Sequence, residues 1–287
     1  MALGHTKTPS SLATLWRLGL ALAFGLCLAA CETVGSLSPT GIAEVDDASA
    51  APAQQTNITS LTDVIRRNPN DPQAYNTRGV AYARSSRFND AIADFSRAVQ
   101  LNPNYAAAYT NRGLAHRQGG RNAEAMTDFN RAITAEPSYY PAYLARGNLF
   151  RTQGSLGQAI SDLAQVIRLN PEGAEAYHGR GLAYQSQGQH VLALSDFDAA
   201  IDRNPYVSQP YQARGQSLLA TGKVDLALED FNAALNVDNR NPESWALRGI
   251  ALNQQGKKTD AAESFQRALS LDPNNRTARE GMRGGGF

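Results

Sequence analysis

An Arg-Gly dipeptide returns every 34 residues through most of this chain, as Arg78-Gly79, Arg112-Gly113, Arg146-Gly147, Arg180-Gly181, Arg214-Gly215 and Arg248-Gly249, with no insertion between steps. A fixed period of this size marks a stack of small units, each unable to bury its apolar face without a neighbour. Other columns keep the same step. Four residues before each glycine stands an aromatic (Tyr75, Tyr109, Tyr143, Tyr177, Tyr211, Trp245), and twelve after it an alanine (Ala91, Ala125, Ala159, Ala193, Ala227, Ala261). Four further on come Phe95, Phe129, Leu163, Phe197, Phe231 and Phe265, and a proline closes most units at Pro103, Pro137, Pro171, Pro205 and Pro273. Tyr75, Arg78, Gly79 and Tyr82 share one helical stripe, as do Ala91, Asp94, Phe95 and Ala98. Gly79 and Ala91 lack bulk, so two helices can approach closely there while the aromatics fill the surrounding space. Proline then ends the second helix, because it cannot continue one and steers the residue before it to extended angles.

The departures are mild. His116, Phe150, Leu218 and Leu252 replace the tyrosine found at Tyr82 and Tyr184, Val166 replaces an alanine, and Asn239 replaces the last proline, which predicts a looser turn between units five and six. These columns together resemble the tetratricopeptide repeat (TPR) family. The resemblance implies an all-α solenoid of six helix–turn–helix repeats of 34 residues, at 72–105, 106–139, 140–173, 174–207, 208–241 and 242–275, wound as a right-handed superhelix.

At its ends the array needs covers. Residues 57–71 place Leu61, Val64 and Pro69 in the Phe, Ala and Pro columns and read as a half repeat capping the N-terminal side. Residues 276–287 form a short tail. Either it suffices as a cap through Met282 and a short helix, or it leaves the C-terminal end as a docking or homodimer surface.

The first residues are read as an address. Residues 1–17 are polar and weakly basic, and the apolar run Leu18–Ala30 is short for a membrane span but suits a secretory signal. It closes on Leu28-Ala29-Ala30-Cys31, which resembles a bacterial lipobox. That resemblance implies a signal peptide at 1–30, cleavage before Cys31 and lipid attachment to its sulfur, with Glu32 favouring the outer membrane over the inner. Residues 31–56, rich in Ala, Ser, Thr, Pro and Gly, read as a lipidated cysteine followed by a flexible tether.

Chemistry is sparse elsewhere. Both cysteines, Cys27 and Cys31, lie in the first 31 residues, so the body has no disulfide and no thiolate metal site. His5, His116, His178 and His190 show no ligand spacing, and no phosphate loop or nucleophile elbow occurs. No cofactor, no metal and no catalysis are expected. Beyond residue 31 the chain has 25 basic against 26 acidic residues, which argues against nucleic acid as a partner.

An arginine precedes all six glycines where the family usually carries an apolar residue, and Asp94, Asp128, Asp162, Asp196 and Asp230, then Ser264, precede the Phe column. Both columns face the core, so the charges are expected to pair. The acid is missing only where no further repeat follows, which favours Asp94 with Arg112 of the next repeat over Arg78 with Asp94 in the same one.

By resemblance, first helices line a concave groove. The facing residues are Asn76, Thr110, Leu144, His178, Gln212 and Ala246; then Val80, Leu114, Asn148, Leu182, Gln216 and Ile250; then Ala83, Arg117, Arg151, Gln185, Leu219 and Asn253. This wall suits an extended or helical segment with apolar anchors and an acidic group. The chaperone-binding class clamps a C-terminal carboxylate with lysines and asparagines, and Val80 and Leu114 break that pattern. The expected function is a lipid-anchored, periplasm-facing adaptor for proteins of the bacterial envelope, such as peptidoglycan hydrolases or proteases. The alternative is a pilotin or assembly factor for pilus, secretion or outer-membrane protein machinery.

Overall fold

The computed structural model describes residues 51–285, with side chains from residue 57 onward. The expected signal, lipid site at Cys31 and most of the tether lie outside the described residues. Every described element is a helix. First helices are α2 (Pro72–Arg84), α4 (Ala106–Gln118), α6 (Tyr140–Thr152), α8 (Ala174–Ser186), α10 (Ser208–Ala220) and α12 (Pro242–Gln254). Second helices are α3 (Phe88–Leu101), α5 (Asn122–Ala135), α7 (Leu156–Leu169), α9 (His190–Arg203), α11 (Val224–Val237) and α13 (Lys258–Leu271). Helices α1 (Ala51–Arg67) and α14 (Arg276–Gly284) flank them. The fold is an all-α solenoid of stacked helical hairpins, as the resemblance implies.

Each hairpin closes on one contact. Phe95, Phe129, Leu163, Phe197, Phe231 and Phe265 are fully buried, and so are the six alanines facing them. The glycine of each first helix lies flat against this side chain: a Cβ at Gly181 would sit 2.6 Å from Phe197 Cε1. The turn between the helices has its own signature. Gly120, Gly154, Gly188, Gly222 and Gly256 all adopt φ between 72° and 77°, and Ser86 takes φ 57° in the first repeat. This is the left-handed residue that ends a helix, and the next backbone N–H returns to a carbonyl five residues back, as Arg121 does to His116 at 2.9 Å.

The turn after the second helix depends less on proline than the sequence suggests. Repeat five has Asn239 there, yet Asp238 takes the same extended conformation (φ −138°, ψ 92°) as Asn102 (φ −134°, ψ 95°). Its carboxylate accepts from Arg240 N at 3.0 Å, as the Asn102 side chain accepts from Asn104 N at 3.0 Å. The expected looser turn shows only in the Asn241 N–Asp238 O bond, 3.5 Å against 3.0–3.2 Å after Asn102, Glu136, Asn170 and Asp272, because the Asx side chain keeps the corner's shape. The indole Nε1 of Trp245 also donates to Asn239 O at 2.9 Å.

Both ends are covered. Helix α1 occupies a second-helix position, buries Ile58 and Ile65, and begins at Ala51 rather than Asn57, inside the stretch read as tether. Proline in its first turn is compatible with helix, since that N–H has no intrahelical partner. At the other end, α14 buries Ala278 and lays Gly281 against Phe265, with Met282 packed on the same cluster. Glu243 accepts from Asn275 and Thr277 at 2.9 Å each, tying α14 to α12. Of the two readings of this end, a sufficient cap or an open docking or homodimer surface, the structure fits the cap, with α14 lying over the last apolar face.

The arginine column pairs within each repeat, not across repeats. Arg78 meets Asp94 through Nε–Oδ2 and Nη2–Oδ1, both 2.7 Å, and Arg112–Asp128, Arg146–Asp162, Arg180–Asp196 and Arg214–Asp230 repeat this fork. The reason is the hairpin contact: glycine touches phenylalanine, so the residues just before each face one another. What crosses to the previous repeat is the remaining Nη1. It reaches Thr62 from Arg78 (3.1 Å), Ser96 from Arg112 (3.1 Å), Asn130 from Arg146 (2.6 Å) and Asp198 from Arg214 (2.7 Å). Arg180 faces Ala164 there and makes no such bond. Arg248, lacking an acid, bonds Ser264 (2.7 Å) and Asn232 (2.9 Å). Each guanidinium also lies over the ring of its own aromatic column, 5.4 to 6.0 Å from the centroid.

Candidate binding groove

Successive first helices touch one another, whereas successive second helices do not. First helices are thus on the inside of the curve, and their outward residues form its inner wall. Residues in two of the three candidate columns are mostly half-buried, neither core nor freely solvated: Val80, Leu114, Asn148, Leu182, Gln216 and Ile250, and then Arg117, Arg151, Gln185, Leu219 and Asn253.

The remaining column is less accessible than the sequence implies. Asn76 is only 9% exposed and accepts from Asn111 Nδ2 at 3.0 Å, so it braces the wall rather than presenting itself. Thr110 and Ala246 are buried outright, because neighbouring first helices close over this position. Leu144, His178 and Gln212 stay half-buried. Gln212 accepts from Ser244 Oγ at 2.9 Å, and Gln185 donates to Ala213 O and Ser217 Oγ, both at 2.9 Å. The C-terminal half of the wall is thereby internally bonded.

The N-terminal half holds the unspent charge. Among the described residues neither the Arg117 nor the Arg151 side chain has an ion pair or hydrogen bond, and Arg151 Nε is buried without a partner. Burial pushes both guanidiniums down from their ordinary range, and for Arg117 the nearby Arg151 charge adds to it. His178, beside Arg151, is pushed down to about 4 by burial first and by that positive charge second. It is neutral at pH 7, with its ring 6.0 Å from that of Phe197.

Two side chains at this wall were not expected. Tyr105 and Tyr139 precede α4 and α6 at the 34-residue step. The Tyr105 hydroxyl donates to Gln73 Oε1 at 2.6 Å, and burial pushes the Tyr139 hydroxyl up to about 12. Their equal spacing was the available signal, but it lapses at Gly173 and Val207. Among the described residues no group of three His, Cys, Asp or Glu side chains could hold a metal ion, and no helix is long and apolar enough to cross a membrane.

The chain matches tetratricopeptide repeat profiles at 58–104, 77–140, 213–276 and 174–206, and a TPR repeat profile at 147–188. No curated protein sequence matches it. Among solved structures, its fold resembles the APC/C hetero-tetramer Cut9-Hcn1 (TM-score 0.71, 14% identity, 81% of this chain and 46% of that one). The present chain thus spans about half of that chain. It also resembles PilW, a widely conserved type IV pilus biogenesis factor (TM-score 0.68, 15% identity, 74% and 98%). A third likeness is YrrB, a TPR protein with an unusual peptide-binding site (TM-score 0.54, 20% identity, 66% and 97%). At these identities the likeness is one of fold. With the sequence profiles matching most of residues 58–276 and the hairpins stacked as described, the chain belongs to the tetratricopeptide repeat family.

Proposed function

We propose that this protein is a scaffold of the bacterial cell envelope, held to the membrane by lipid on Cys31 and engaging a partner polypeptide along the inner wall of its first helices. The TPR fold is a protein–protein interaction scaffold, and one observation carries the choice of surface. The inner wall combines half-buried apolar residues, Val80, Leu114, Leu182 and Ile250, with two arginines that the fold leaves unpaired. A solvated wall would not hold guanidiniums in partial burial without partners. The leader supports the envelope placement, since Leu28-Ala29-Ala30-Cys31 follows a short apolar run. The protein brings other proteins together and performs no catalysis of its own.

Adaptors for peptidoglycan hydrolases or proteases are the first class of partner. Pilus or secretion assembly is the second, favoured by the likeness of fold to PilW. The test is photo-crosslinking in whole envelopes from Leu114 and Leu182, with Glu263, exposed on α13, as control. Specific capture of amidases, endopeptidases or proteases supports the first class, and capture of secretin or pilus subunits the second. Capture from Glu263 equal to that from Leu182 would sink the groove assignment. A Cys31→Ser variant should be released from membranes, and retention would refute the lipid anchor.

A further inference from the structure

The half-buried arginines of the first helices fall into two populations. Six serve the hairpins: five fork onto an aspartate, and Arg248 settles on a serine and an asparagine. Arg117 and Arg151 do neither. They lie one repeat apart near the ends of α4 and α6, half-buried on the inner wall. Their columns contain no acidic residue, and Glu175, exposed in the first turn of α8, pairs with neither. Arg151 Nε is enclosed without an acceptor. Neutral His178 stands next to Arg151, and Leu114 and Leu182 flank the pair with apolar surface. The C-terminal half of the same wall is neutral and satisfied from within.

We infer that Arg117 and Arg151 form a two-point carboxylate site within the groove, fitted to a partner protein segment that presents two acidic side chains beside an apolar one. This rests on the groove reading above and narrows it. Two cations held side by side repel each other and have lost part of their hydration, so a ligand supplying both negative charges removes two penalties at once. Neighbouring packed helices lie about 8–10 Å apart. An extended segment advances about 3.3 Å per residue, so acids two or three positions apart can reach both guanidiniums. A guanidinium forks onto a carboxylate in a plane, as the five hairpin pairs show in this same molecule. Leu114 on one side of the pair, or Leu182 on the other, then receives an apolar side chain next to the acids.

The experiment is selection of a displayed library of random 12-residue peptides on the full chain. Selected sequences should be enriched in paired Asp or Glu next to an apolar residue. Binding of a selected peptide, measured by fluorescence anisotropy, should weaken at least tenfold in an Arg117→Gln/Arg151→Gln variant and fall steeply with added salt. The variant should melt no lower than the parent, because no internal pair is lost. Peptides without acid enrichment, or undiminished binding to the double variant, would overturn the site. If such peptides still lose binding on Leu182→Glu, the groove stands and only the carboxylate site fails. If they lose nothing there either, the groove reading fails with it.

Discussion

Arg180 and Asp196 form a fork isolated from the neighbouring repeat: Nε to Oδ2 is 2.8 Å, Nη2 to Oδ1 is 2.7 Å, and Ala164 stands where other repeats offer a further acceptor. The aspartate side chain is 7% exposed and the arginine 21%. It is therefore the cleanest place to weigh the hairpin pair.

Removing one partner leaves a buried charge alone. Asp196→Ala should cost about 3–5 kcal/mol, while an Arg180→Met/Asp196→Leu double variant should lose far less than the sum of the single changes. Urea unfolding around the double-mutant cycle reads the coupling, and additive losses would refute it. At the other end, Ser264→Asp should let Arg248 fork as its counterparts do and raise stability by about 1 kcal/mol.

Ser86 is the one non-glycine among six equivalent turn residues, at φ 57°. Left-handed angles cost a side-chain-bearing residue roughly 1–2 kcal/mol, partly offset by the greater freedom of glycine in the unfolded chain. Ser86→Gly should stabilise by about 0.5–1 kcal/mol, seen as a melting point about 2 °C higher. A lower melting point would contradict this.

Two glycines should respond oppositely to alanine. At Gly181 the new methyl would meet Phe197, which has no room to retreat, and the loss should be about 1–3 kcal/mol. At Gly157, exposed in the first turn of α7 with open space around it, alanine should gain up to about 1 kcal/mol through helix propensity. Thermal melts of the two variants suffice to check the pair.

His178 predicts the response to acid. Its folded pKa, about 4, lies below its ordinary value of 6.5, so the unfolded chain binds the proton more readily. Stability is fully present above about pH 6.5 and is lost as pH falls towards 4, with a slope of at most about 1.4 kcal/mol per unit from this group. His116, also pushed down by burial, acts in the same direction. Urea midpoints at pH 7 and pH 5 should differ less in His178→Gln than in the parent. Arg151→Gln should raise the His178 pKa, which NMR titration reads directly.

The repeat boundaries and the hairpin core were open to sequence reasoning because Gly79, Ala91 and Phe95 answer to one steric demand that recurs at a fixed step. The partner of each arginine was not. A single missing acid at Ser264 suggested cross-repeat pairing, but only the hairpin contact shows that Arg78 and Asp94 sit level with each other. At Asp238 the corner keeps its shape without proline, the louder signal in the sequence, because the Asx residue at Asn102, Asn204, Asp238 and Asp272 turns the chain. On the wall, the columns located Leu114, Arg117, Arg151 and Leu182 but could not reveal that Asn76 is consumed by Asn111. That depends on how closely two adjacent first helices approach.

The double reach of the arginines bears on how such an array can change in length. Each guanidinium grips its own hairpin and then donates to whatever acceptor the preceding one offers, be it Thr62, Ser96, Asn130 or Asp198. Excision of residues 140–173 would bring Arg180 opposite Asn130 and give it the tie it now lacks. Loss or duplication of a whole unit would leave no seam, so the number of hairpins is free to drift in descent while their spacing is not.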